Sequence, residues 1–86
     1  MKIQILPPAR YDLIDEYWFY EERETGVGDY FMTSILADID SLAIFAGIHP
    51  LHLGKHRMIA TKFPCSIYYL IESNEIRVAQ LAYANH

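Results

Sequence analysis

Phe63-Pro64-Cys65-Ser66-Ile67-Tyr68-Tyr69-Leu70-Ile71-Glu72, then Ser73-Asn74, then Glu75-Ile76-Arg77-Val78-Ala79-Gln80-Leu81-Ala82-Tyr83 is the stretch on which the fold turns. Both arms are rich in β-branched and aromatic residues, and a two-residue break between such arms is short enough to close a hairpin. Successive side chains of a strand point to opposite faces. In the first arm Ile67, Tyr69 and Ile71 therefore oppose Ser66, Tyr68 and Leu70; in the second, Ile76, Val78, Gln80 and Ala82 oppose Arg77, Ala79, Leu81 and Tyr83. Residues 56–63, of similar composition, read as a further strand of the same sheet.

Upstream, the period changes from two to that of a helix. Residues 9–24 place Leu13, Tyr17 and Tyr20, flanked by Ile14 and Trp18, at helical spacing, with carboxylates elsewhere around the axis. Gly26-Val27-Gly28 breaks the pattern, and Phe31, Ile35, Ile39, Leu42 and Ala46 then line one side of a second helix. Helices joined by so short a break fold back as an antiparallel hairpin. Residues 2–6 alternate as a first strand, closed by Pro7-Pro8, and residues 48–54, punctuated by Pro50 and Gly54, read as a loop. The expected fold is α+β, β-α-α-β-β-β, a helical hairpin on one face of a mostly antiparallel sheet.

Composition narrows the function. A chain of 86 residues has room for one domain, expected over 1–86, and 52% hydrophobic content with 21% charge is that of a folding chain. The lone Cys65 makes no internal disulfide, no run approaches the ~20 apolar residues that span a bilayer, and the first residues lack a signal peptide's apolar core, so a cytoplasmic protein without membrane contact is expected. The net charge of −4 argues against direct nucleic-acid binding, but it is unevenly spread. Residues 1–43 hold three cations against nine carboxylates, −6, whereas residues 44–86 hold Lys55, Arg57, Lys62 and Arg77 against Glu72 and Glu75, +2. An anion-facing surface belongs in the second half.

Three features together resemble the RelE/ParE toxin superfamily over essentially the whole length: Ala9-x-x-Asp12-Leu13 opening the first helix, Ile39-x-x-Leu42 near the end of the second, and above all Phe63-Pro64-Cys65-Ser66-Ile67-Tyr68-Tyr69. The last is similar to the Phe-Pro-Tyr-x-Ile-x-Tyr strand of ParE-like and plasmid-stabilisation proteins, which is followed by a charged turn and a final Val-x7-His, here Val78 and His86. The resemblance implies a bacterial toxin neutralised by a cognate antitoxin that wraps it. RelE-like members cut messenger RNA on the ribosome; ParE-like members poison DNA gyrase without hydrolysis. A homodimer is left open.

The residues favour the second behaviour. Cleavage by 2′-hydroxyl attack needs a proton acceptor, a proton donor and positive charge beside the phosphate. Ser66 stands where an RNA-cutting relative has an arginine, and the given sequence has no basic tail after His86, leaving Arg57, Tyr83 and His86 as weak catalytic candidates. The expectation is therefore a ParE-like, protein-binding chain, with a degenerate RelE-like ribonuclease or an inactive relative as alternatives. Lys55 and Arg57 are the candidate contacts for an anionic partner, with Lys62 at the far end of their strand; equally, such charges guard an edge strand against pairing. Trp18 or Phe19 is expected to be covered by another chain, since one helix face cannot bury the whole run 17–20. His49, His52 and His56 bring three imidazoles into one stretch, but a loop with Pro50 and Gly54 gives them no common geometry, so neither metal nor cofactor is expected. Cys65 reads as a small buried residue.

Overall fold

The computed structural model describes residues 1–84. It consists of β1 (Lys2–Ile5), α1 (Pro7–Glu21), α2 (Val27–Asp40), a single-turn α3 (Leu42–Phe45), β2 (Leu51–His52), β3 (Lys55–Ile59), β4 (Cys65–Glu72) and β5 (Glu75–Tyr83). The five strands form one sheet in the order β1-β5-β4-β3-β2, antiparallel except where β1 runs parallel to β5. The α+β arrangement read from the sequence is thus the observed one, with one small strand added. Among the described residues no helix is long and apolar enough to cross a membrane.

Helix α1 starts two residues earlier than its hydrophobic period indicates, because Pro7 and Pro8 occupy its first positions, where a missing N–H costs nothing. It buries Ala9 and Leu13, while α2 buries Phe31, Ile35 and Ile39, and Leu42 follows in α3. These side chains meet Met58, Ile67, Tyr69, Ile76, Val78 and Leu81 of the sheet in one apolar core. Phe63 packs its ring against Tyr20, Tyr30 and Phe31 at centroid separations of 4.9, 5.3 and 5.2 Å.

Four sequence readings change. Residues 48–54 are not all loop: Leu51 and His52 pair with His56 and Lys55, because Leu53 (φ 52°) and Gly54 (φ 83°) both adopt the left-handed backbone that a tight hairpin needs. Strand β3 ends at Ile59 rather than residue 63, since the Asp38 carboxylate draws the chain out of the sheet by accepting bonds from the Thr61 N–H and hydroxyl, each at 3.0 Å. In β5, Tyr69 of β4 faces Val78 while Tyr68 faces Gln80, leaving Ala79 as a bulge. The extra residue reverses the alternation, so Leu81, not Gln80 or Ala82, joins the core. The fourth concerns Gly28, which is no breaker but sits buried in the first turn of α2.

A Cβ on Gly28 would lie 2.8 Å from the Tyr17 carbonyl oxygen and 2.8 Å from the Glu21 Cβ, so only glycine lets the helices approach this closely. Gly28→Ala is expected to destabilise the fold by about 1–3 kcal/mol, the usual cost of overpacking, read as a lower urea midpoint. A midpoint unchanged or raised would show that the hairpin opens at no cost.

Candidate functional site

Two surfaces carry the chemistry-bearing residues, and the sheet separates them. On the face away from the helices, β4 projects Ser66, Tyr68 and Leu70, and the register places Arg57 opposite Tyr68 and Gln80 on its other side. Arg57 Nε donates to the Ser66 hydroxyl at 3.1 Å, and Ser66 is only 1% exposed. Ser66, read as standing where an RNA-cutting relative has an arginine, is here the support that orients Arg57. Lys55 joins the same face, with His52 across from it in β2 and the His52 ring 6.0 Å from that of Tyr68. His52, Leu53, Lys55, Tyr68 and Gln80 line a shallow hollow of about 170 Å³. His52 and Tyr68 were not singled out as site residues, because a histidine in an irregular segment and a tyrosine in an apolar strand give no signal until the register is known.

Lys62 does not belong to this surface. Its ammonium lies 5.4 Å from the centre of the Tyr30 ring of α2, on the helix side. Arg77 lies on the open face but is flanked by Glu72 and Glu75 at 3.8 and 3.9 Å, which offsets its charge. Lys2 shares the open face at the far edge of the sheet, set against Glu75 in the register, so Lys55 and Arg57 are the cations that β3 itself presents there.

The second surface is a groove of about 330 Å³ between α1 and the end of β5, lined by Asp12, Asp15, Glu16, Phe19, Tyr20, Leu81, Ala82 and Tyr83. It exists because β1 pairs with only the first four residues of β5, through Val78, before the prolines lift the chain into α1. Asp12 accepts the Leu81 N–H at 2.9 Å, satisfying one edge donor that β1 leaves open. Glu16 accepts the Cys65 S–H at 3.8 Å. Burial, then the neighbouring Asp12 charge, raises the Glu16 carboxyl above its ordinary value. Burial, followed by the nearby Glu16 carboxylate, pushes the Cys65 thiol up to about 12.

The sequence candidates are divided accordingly. Arg57 and Tyr83 lie on opposite faces: Tyr83 pairs with Cys65, which faces the helices, whereas Arg57 pairs with Tyr68, which faces away. His86 lies outside the described residues. Phe19 lines the groove with Tyr83 and carries the Arg23 guanidinium 3.3 Å above its ring. Trp18, 54% exposed, lies outside that lining and stands edge-on to Tyr17. His49 faces the helix side with His56, while His52 is on the other face, and among the described residues no three of His, Cys, Asp and Glu converge on a common point.

Comparison with solved structures shows a likeness of fold. A solved chain of the chromosomal ParDE TA system from P. aeruginosa superposes with a TM-score of 0.89, over 99% of this chain and 97% of that one, at 17% sequence identity. No protein-family model and no curated sequence matches.

With its thiol pushed up to about 12 and buried, Cys65 carries almost no thiolate at pH 8. Alkylation of the native chain by iodoacetamide at that pH should be at least about a hundredfold slower than in denaturant, followed by mass spectrometry. Comparable rates in both states would mean that the interior near Glu16 is open to solvent.

Proposed function

We propose that this chain is the toxin of a type II toxin–antitoxin (plasmid stabilisation) pair, ParE-like in acting by protein contact, with DNA gyrase as target and a cognate antitoxin as regulator. The observation that carries the reading is the full-length likeness to a chain of a ParDE TA system. The two surfaces support a division of labour. The groove beside α1, with aromatic walls and an acidic rim, suits a segment of the antitoxin; the Lys55 and Arg57 surface suits an anionic region of the target. Separation of Arg57 from Tyr83 weighs against an acid–base pair built from those two.

A ribonuclease reading keeps one observation in its favour: His52, Lys55, Arg57 and Tyr68 share the open face, and an imidazole beside two cations and an aromatic ring is what phosphodiester cleavage uses. Codon-dependent cleavage in a translating extract, abolished by His52→Ala, would establish it in place of gyrase contact.

Expressed alone, the chain should arrest growth and inhibit supercoiling by purified gyrase, and Lys55→Glu with Arg57→Glu should weaken that inhibition. If the two cations sit at the rim of the contact, the loss appears mainly in on-rate and salt dependence; a buried pair broken on one side costs about 2–5 kcal/mol at any salt. Growth arrest with gyrase unaffected would refute the mechanism. The product of the adjoining reading frame should co-purify, change Trp18 fluorescence, and bind at least about tenfold more weakly to Phe19→Asp, as expected for an aromatic anchor in a pocket. Full-strength binding by Phe19→Asp would move the antitoxin off the groove.

A further inference from the structure

Between α3 and β2 the chain crosses the helix side of the sheet as Ala46-Gly47-Ile48-His49-Pro50, and residues 41–54 contain no Asp, Glu, Lys or Arg. No ion pair can hold this crossing. Besides the Arg57 N–H, which donates to the Pro50 carbonyl at 2.9 Å, one tyrosine and two histidines fix it. The Tyr69 hydroxyl, on a fully buried side chain, accepts the Gly47 N–H at 2.9 Å and bonds the Nδ1 of His49. His56 Nδ1 bonds the His49 carbonyl oxygen at 2.8 Å, and its ring stacks on Tyr69 at 5.0 Å and 21°. The His49 ring stands edge-on to the same tyrosine at 5.5 Å.

We propose that His49, Tyr69 and His56 form a proton-sensitive clamp that holds the 46–50 crossing against the sheet and lets it go when His49 is protonated. Hydrogen-bond direction supplies the reason. A hydroxyl has one proton to give and two lone pairs. The Gly47 N–H takes a lone pair of Tyr69, and among the described residues His49 Nδ1 is the one other group bonded to that hydroxyl, so the hydroxyl proton goes to His49, whose Nδ1 is then the unprotonated nitrogen. A carbonyl only accepts, so His56 carries its proton on Nδ1. Adding a proton to His49 turns its Nδ1 from acceptor to donor. The proton of the fully buried Tyr69 then loses its acceptor, and a positive charge faces the second imidazole.

Among the described residues no charge compensates. The neighbours on this face, Leu51 of β2, Val78 of β5 and Ile71 of β4, are apolar, and Lys55, Arg57 and His52 leave from the opposite face. Burial, and then the proximity of His56, holds the His49 imidazole below its ordinary value of 6.5. A group depressed in the folded state contributes stability that is complete above its unfolded value and lost as pH falls through the folded one, so release belongs below pH 6.5. The clamp does not depend on the function proposed above, although its release would loosen the hairpin that carries Lys55.

The Gly47 amide is the direct reporter. Its exchange protection factor, corrected for intrinsic rate and measured by NMR between about pH 7.5 and 5, should fall about tenfold or more, while that of Ile35 in the core stays constant. His49→Asn, whose amide oxygen accepts but does not titrate, should remove the pH dependence. A flat profile in the wild-type chain, or the same fall in His49→Asn, would overturn the clamp. Independently of any variant, imidazole nitrogen shifts at neutral pH should show His49 protonated on Nε2, and a proton on Nδ1 would overturn it equally.

Discussion

Each side chain of β4 has only two directions available, and β4 lies at the middle of the sheet with a neighbour on either side. Its parity therefore propagates outward through the register. Cys65, Ile67 and Tyr69 face the helices and draw Met58 and Val78 with them; Ser66, Tyr68 and Leu70 face away with Arg57, Gln80 and Arg77. A slip of one residue would exchange the two sets, exposing the core and burying the arginine. The separation of Arg57 from Tyr83 follows from the same rule. Only the bulge at Ala79 departs from it, and that departure lets Leu81 fill the core while Gln80 stands beside Tyr68.

Periodicity made the β4–β5 hairpin, the core positions Phe31, Ile35 and Ile39 of α2 with Leu42 of α3, and the order of the elements legible in the sequence. What escaped it depends on partners distant in sequence. The end of β3 is set by Asp38 reaching Thr61 from another element, and the bulge by the fit between two strands, so neither leaves a local pattern. The candidate site was legible as residues rather than as a grouping. Lys55, Arg57, Phe19 and Tyr83 stood out by charge or aromaticity, but register assigns the first two to one face and the others to the groove. His52 and Tyr68 were illegible for the same reason.

The acidity of the first half also acquires a different meaning. Counted along the chain, its nine carboxylates describe a negative surface. In the fold several are internal fasteners. Asp12 takes the Leu81 N–H, Asp38 takes the Thr61 N–H, and Glu21 takes the Gly26 and Gly28 N–H groups at 3.0–3.1 Å, tying α1 to the start of α2. Hydrogen bonds to a charged acceptor contribute about 1.5–3 kcal/mol where they are shielded, a sizeable share of the stability of so small a chain. These three keep their charge but are tied into the fold, and of the other six carboxylates Asp15 and Glu16 line the groove.

Helix α1 has more apolar surface than the core can use. It buries Ala9 and Leu13, half-buries Tyr17 and Tyr20, and leaves Tyr11, Ile14, Trp18 and Phe19 about half or more exposed. Consecutive helical residues point roughly 100° apart, so Trp18 and Phe19 cannot meet one flat contact, and only Phe19 lines the groove. A partner that shields both must bend round the helix. An elongated segment with little structure of its own does this readily, whereas a compact domain would cover one residue and leave the other wet. If the proposed antitoxin segment covers α1, the helix sets its demands: apolar contacts on two sides of the helix axis, and positive charge beside Asp15 and Glu16.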